Sequence, residues 1–345
     1  MVLSAEGRET TGYYKALQST ELGMGFALTL AKQFLSQSYP EHFVSLIPAD
    51  IVLRAGWALS SKDSGPRVGY PYRPHFFAEV WKPGEPSRAF PIAYKGSHSH
   101  GGRSTAHVQL ASASAHVEAV HIGAWNETPG LVFSTELPTD GHGSLTVHAL
   151  HAPGRGGKLS TATDAPERSP DQRIEEQNIF PGIQRPNKGD HTEHAEPESG
   201  YHVQPENYAW FAQVLARTDA AALAAFTGDG MATGQYLTTR QGQRHFTGPA
   251  HAVTDSIQDA HESLLGIPFV GTDHVFRLNR TRVEAFSGIA TDLFQHLQKG
   301  RVEQYRSKIH SLRSAWPSTA WDPKWKGPVS VNDDGSVLAM RILRS

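Results

Sequence analysis

The sequence predicts an α/β protein whose mixed central sheet is flanked by helices, followed by a C-terminal region that is α+β or mostly helical. Three observations carry this: the first half runs helix, strands, helix, two strands; composition changes at Pro153; and an Ala-rich helical pattern resumes after Gly200. The expected division is an α/β domain over 1–151, a linker or long loop over 152–200, and an accessory domain over 201–345.

The first helix spans 19–38, where Met24, Ala27, Leu28, Ala31, Phe34 and Leu35 share one helical face and Ser19 or Thr20 can cap the start. An apolar stretch broken by Pro48 follows. "HFFAEVW" and "AFPIAYKG", short and rich in aromatics, flank the Pro- and Gly-containing "KPGEPSR" and read as a hairpin. The Ala-rich run from Arg103 to His121 has no Pro or Gly and predicts a helix. "GLVFSTEL" and "SLTVHALHA" supply two further strands. The stretch from Pro153 to Gly200 is rich in Pro, Gly and charge with few aliphatic residues, which predicts a mobile connection. Beyond it come a helix around "ENYAWFAQVLARTDAAALAAF", strands at "GQYLTTR" and "DHVFRLN", and helices near 252–265 and 281–311.

Composition excludes several functions. A net charge of −2 over 345 residues gives no global attraction to nucleic acid or acidic membranes, so any such contact needs a local patch. With no cysteine, disulfides and thiolate zinc sites are out, and a cytoplasmic setting is expected. No apolar run suits a signal peptide or a membrane span.

Two apparent motifs fail. "APGRGGKLS" has Ala152 where a phosphate loop needs its first glycine and Leu159 where it needs Ser or Thr. The 19 histidines include His98 and His100, His148 and His151, and His191 and His194, but no HExxH pattern. Most read as solvated or singly bonded, and "SHSHGG" stands apart because it directly follows Lys95.

Glu79 and Lys95 are charged residues inside apolar strands. Metal-dependent phosphodiester hydrolysis needs carboxylates to hold Mg²⁺ or Mn²⁺, an activated water, and a cation near the phosphate. A carboxylate on one strand and a lysine on its neighbour supply these at a sheet edge, with a polar residue such as Gln109 on the following helix. The alternative for Glu79 and Lys95 is a cross-strand ion pair of little energetic weight.

This arrangement resembles the PD-(D/E)xK, or restriction-endonuclease-like, nuclease fold over about residues 19–151. The resemblance implies a core of helix, three strands, helix and two strands, with Glu79 as the strand acid and metal ligand, Lys95 as the catalytic lysine, and Gln109 as the helix glutamine. It also implies a metal-associated Glu21 on the first helix. The departure is "AYK" in place of "ExK": Ala93 stands where the family carries an acid. Some members move that acid to the neighbouring helix, which makes Glu118 a candidate, with His98, His100 or Glu21 as alternatives.

A local positive zone of Arg277, Arg280, Arg282, Arg301, Arg306 and Lys308 is the expected nucleic-acid contact, with tryptophans available for stacking. The resulting expectation is a cytoplasmic, Mg- or Mn-dependent nuclease-like protein acting on or binding DNA, with no membrane partner; a homodimer is compatible with it. The rivals are a non-catalytic nucleic-acid- or protein-binding protein on a degenerate nuclease fold, and a histidine-ligated metal hydrolase.

Overall fold

The computed structural model describes residues 12–57, 59, 72–98, 103–123, 127–138, 144–160, 168–179, 200–247, 260–278, 281–312, 315–317 and 319–343. The chain divides into two compact units, Met1–Trp81 with Pro86–Ala165 and Gln177–Phe211, and Lys82–Glu85 with Pro166–Glu176 and Ala212–Ser345.

The first unit is built on helix α1 (Gly12–Ser38), which begins earlier than its apolar stripe predicts. Its buried positions are Ser19, Gly23, Ala27, Ala31 and Leu35, spaced four apart, so a strip of small residues faces the sheet. Small side chains let the helix axis come close: a Cβ at Gly23 would lie 3.0 Å from the Gly96 Cα, and one at Gly96 would lie 2.0 Å from the Ser19 carbonyl oxygen. Strand β1 (Phe43–Pro48) ends at the proline that starts the short helix α2 (Ala49–Arg54). Strands β2 (Phe76–Trp81) and β3 (Arg88–His98) form the expected hairpin. Helix α3 (Arg103–Glu118) is shorter than expected, because Val120–Ile122 forms strand β4 instead. Strands β5 (Gly130–Leu137) and β6 (Thr146–Ala152) follow.

The main sheet has the order β1-β2-β3-β5-β6. All its pairs are antiparallel except β3 with β5, which are parallel and joined through α3 as a crossover. Alternation gives each face its own core. Ala78, Val80, Phe90, Ile92, Tyr94, Leu131 and Phe133 meet α1 residues Ala27, Ala31 and Leu35. Ala93 and Val132 on the other face meet Ala113, Val117 and Leu110 of α3. A third cluster gathers Trp57, Tyr201, Trp210, Phe211 and Phe77, with Trp57 5.8 Å from both Tyr201 and Trp210. Strand β7 (Tyr201–Val203) pairs in parallel with β4.

Parts of the stretch expected to be a mobile linker are tied to the sheet. Leu159 is buried, the Ala89 amide donates to the Gly157 carbonyl at 2.9 Å, and the Leu159 amide donates to the Ser87 carbonyl at 2.8 Å. The β3–β5 ladder starts only at Ile92, so Gly157 and Leu159 take over the edge that β5 leaves open. Farther on, Ile179 bridges to Trp57. Few aliphatics did not prevent order because backbone hydrogen bonds tie the segment down.

The second unit contains the rest of helix α4 (Tyr208–Phe226), then α5 (Gly230–Tyr236) and α6 (Arg244–Thr247). "GQYLTTR" therefore starts inside a helix, with Asp229 capping α5 by accepting the Ala232 amide at 2.9 Å, and is not a strand. Strands β8 (Ala260–Leu264), β9 (Ile267–Leu278), β10 (Thr281–Ala290), β11 (Ala320–Asp322), β12 (Gly327–Val331) and β13 (Ser336–Leu343) form an antiparallel sheet of order β11-β12-β13-β10-β9-β8. The helix expected over 281–311 is instead β10 followed by α7 (Thr291–Gln298) and α8 (Val302–Leu312). The helix expected near 252–265 ends in β8, and its earlier part lies outside the described residues. Among the described residues no helix is long and apolar enough to cross a membrane.

Candidate functional site

Lys95 lies near the carboxyl end of β3, on the face that Ala93 turns toward α3. Its register partner on parallel β5 is Ser134, and the next pair on that face is Ser97 with Glu136. On β6, His148 stands opposite Ser134. Ligand sites in sheets with parallel strands gather beyond the carboxyl ends of those strands, which is where these residues stand.

Gln109, about two and a half turns short of the end of α3 at Glu118, reaches down to this face. Its Nε2 donates to Ser97 Oγ at 2.8 Å and its Oε1 accepts from Ser134 Oγ at 2.6 Å. One amide thus ties β3 to β5 on either side of the Lys95 position. Glu136 has a side chain 14% exposed. Its Oε2 lies 3.7 Å from His148 Nε2, while its Oε1 is buried with no hydrogen-bond partner among the described residues. A charged oxygen left so costs about 1–3 kcal/mol or more, which a ligand, proton or cation would offset.

Beside this group are two histidines. The β2–β3 register pairs Phe76 with Ile92, so His75 falls next to Ala93. The Tyr94 amide donates to its Nδ1 at 3.2 Å, and the His116 ring of α3 lies 5.4 Å away. Burial, then His116, Lys95 and Arg73, push the His75 pKa down to about 4. Burial also lowers His116, whose Nδ1 lies 2.8 Å from the Arg73 carbonyl oxygen. Arg73 itself pairs with Asp50 at 2.6 Å. Both rings are neutral at pH 7.

A pH dependence follows. Unfolded His75 takes up a proton near its ordinary value of 6.5, whereas the folded chain takes it up only near 4. The His75 contribution to stability is therefore constant above about pH 6.5, falls as pH drops from there to about 4, and levels off below. His75→Asn keeps an acceptor for the Tyr94 amide and is expected to flatten that slope in urea titrations at pH 7 and 4.5. An unchanged slope would assign the loss to other groups.

The structure separates Glu79 from Lys95. Glu79 is paired with Ala89 on β3 and with Ser45 on β1, and it is buried. Lys95 stands six residues beyond Ala89, about 20 Å along the strand at ~3.4 Å per residue. They form neither a shared site nor an ion pair. The register places His75 and Ala93, rather than two acids, beside the lysine. Glu21 is exposed on α1, which covers the opposite face, where it acts on Tyr94 by raising its pKa after burial does. Glu118 is exposed at the far end of α3, about 14 Å along the axis from Gln109 at 1.5 Å per residue. His98 also points to the α1 side, where Lys15 acts on it, and His100, His191 and His194 lie outside the described residues. Among the described residues no group of three His, Asp or Glu converges as a metal site.

The described residues of the C-terminal basic run fall on separate elements. Arg282 lies near the start of β10, about 27 Å by strand length from Ala290, where α7 begins. Arg301 precedes α8 and is exposed, Arg306 is half-buried, and Lys308 lies 3.9 Å from Asp292. The side chains of Arg277 and Arg280 lie outside the described residues.

Sequence reasoning missed Ser97, Ser134 and Glu136, and it set His148 aside among the scattered histidines. The available signal was Glu136 within "GLVFSTEL", a charge in an apolar strand like the one that singled out Glu79. No family model, curated protein or solved structure matches the chain. Its class is therefore defined by its own geometry: a mixed α/β unit with a polar, lysine-bearing site under a crossover helix, joined to an antiparallel α+β unit.

Proposed function

We propose that the chain is a nuclease-like protein that hydrolyses nucleic-acid phosphodiesters, using Lys95, Gln109 and Glu136. The observation that carries the reading is the placement of Lys95 and Glu136 on one face near the carboxyl ends of β3 and β5, with Gln109 of α3 bound to that face through Ser97 and Ser134. The core also runs helix, three strands, helix, two strands, with α2 and the short β4 inserted, and the resemblance to the restriction-endonuclease-like fold implies that order.

In this reading the Lys95 ammonium faces the non-bridging phosphate oxygens and stabilises the charge that grows there. Glu136 takes the proton of the attacking water as its oxygen bonds to phosphorus and the ester P–O bond breaks; that proton then reaches the leaving oxygen. Gln109, with both ends of its amide committed to serines, is a positioning residue. The orphaned Glu136 oxygen would hold a Mg²⁺ ion, and with the nearby His148 nitrogen it would give Mn²⁺ two ligands; either ion would supply charge neutralisation and a more acidic water. DNA is the proposed substrate, and the absence of cysteine suits a cytoplasmic setting.

The occupation of the β2–β3 crossing by His75 and Ala93 favours a second reading, a binding protein on the same core without turnover. Incubation of the purified chain with single- and double-stranded DNA and RNA in Mg²⁺ or Mn²⁺ separates the two. Cleavage supports the first, binding that needs Lys95 but yields no cleavage supports the second, and neither binding nor cleavage overturns both.

A further inference from the structure

The second unit holds a polar cavity of about 180 Å³ whose lining includes Arg173, Arg217, Gln235, Tyr236, Thr238 and Thr239. Arg217 of α4 is 3% exposed. Its Nη1 donates to the carbonyls of Pro170 at 3.0 Å and Asp171 at 3.3 Å, its Nη2 donates to that of Gln235 at 2.6 Å, and the Tyr236 ring centroid lies 5.0 Å from its guanidinium. Its Nε is buried with no acceptor among the described residues.

A guanidinium removed from water ordinarily faces a carboxylate, because neutral carbonyls do not cancel its charge. Neither nearby carboxylate hydrogen-bonds the Arg217 guanidinium among the described residues: Asp171 Oδ1 accepts the Glu303 amide at 3.0 Å, and Glu176 Oε1, also on the cavity wall, accepts the Arg240 amide at 2.9 Å. Around Arg217 the Asp171 charge favours the guanidinium, and Arg173 adds a second positive charge that opposes it. Two guanidiniums with an unsatisfied donor beside the Thr239 hydroxyl form a donor-rich hollow suited to an oxyanion. The Gln235 amide takes no part, since its Nε2 donates to the carbonyls of Leu297 and Gln298.

We propose that this cavity binds a phosphate group, held by Arg217 and Arg173 with Thr239. Its small volume suits a phosphate with part of its hydration shell and leaves no room for an enclosed nucleoside. The proposal is independent of the hydrolytic reading, because none of its residues belongs to the Lys95 site.

The test is calorimetric titration of the full chain with inorganic phosphate at constant ionic strength, using chloride as the control ion. Arg217 also holds the 170–171 backbone, so Arg217→Gln risks misfolding; Arg173→Ala combined with Thr239→Val leaves those bonds in place. Saturable phosphate binding that weakens at least tenfold in the double variant, with unfolding midpoints unchanged in chloride, is the expected result. No heat beyond that of chloride, or equal affinity in the double variant, overturns the proposal. A parallel titration with a 5′-phosphorylated dinucleotide identifies the source: tighter binding than inorganic phosphate points to a nucleic-acid terminus, and equal or weaker binding to free phosphate.

Discussion

Lys95→Met and Glu136→Gln are each expected to lower single-turnover DNA cleavage by about 10²–10⁴-fold, the range for removing a proton-transfer group or a donor that stabilises developing charge. The two losses should differ in kind. Without the ammonium, binding of uncleaved DNA weakens and its salt dependence becomes shallower, because a phosphate contact is gone. Without the carboxylate, the charge opposing the phosphate is removed, so DNA binding is kept or tightened while turnover falls. The arrangement of Ser97–Glu136 and Lys95–Ser134 as successive pairs on one face also predicts that the double variant loses less than the product of the single losses. Glu79→Gln, about 20 Å along the strand from Lys95, is expected to cleave normally. Full activity in Lys95→Met, or a Glu79→Gln variant that folds and is inactive, would return the site to the arrangement the sequence predicts.

The contrast between Glu79 and Glu136 marks what was legible in the sequence. The hairpin of β2 and β3, the crossover helix α3 and the strands β5 and β6 were readable because each has a strong local pattern: aromatic strands around a Pro/Gly turn, an Ala-rich run, and short β-rich segments. Register was not readable. A charge inside an apolar strand identifies a position that needs an explanation, yet which residue of the next strand faces it depends on where the turn closes. Here the turn sets Phe76 opposite Ile92, which brings His75 to the place assigned to an acid and carries Glu79 away from the lysine. Gln109 was singled out from its position after Lys95, and the two serines that hold it became visible only once β3 and β5 were paired.

The second unit was misread for a related reason. "TRVEAFSGIA" has an alternating and then continuously apolar character that a helix or a buried strand can satisfy, and pairing with β9 and β13 on both sides decides it. The basic residues close in sequence are divided by the same event, Arg282 falling on β10 and Arg306 and Lys308 on the later helix α8.

Gly96→Ala is expected to be among the most damaging single-methyl additions in the first unit, and it tests how the fold holds the site. The added Cβ would sit 2.0 Å from the Ser19 carbonyl oxygen, a backbone atom that cannot swing aside, so α1 or the end of β3 must shift. Overpacking of this kind costs about 1–3 kcal/mol and often more where backbone is the obstacle. Two glycines of α1 calibrate the measurement. At Gly23 a Cβ would meet the Gly96 Cα at 3.0 Å, which predicts a smaller loss, and at Gly25 nothing lies within 4 Å, so the alanine should stabilise the helix by about 0.5–1 kcal/mol. Urea denaturation of the three variants should therefore rank Gly25→Ala above the parent, Gly23→Ala below it, and Gly96→Ala lowest. Gly96 directly follows Lys95, and Ser97 beyond it holds Gln109, so the shift that relieves the clash also moves the lysine and loosens the amide bridge. Gly96→Ala should consequently lose cleavage even at temperatures where it remains folded, whereas Gly23→Ala loses it only in proportion to unfolding. Equal stability of Gly96→Ala and Gly25→Ala would show that α1 does not approach β3 this closely, and the close packing that positions the lysine would have to be abandoned.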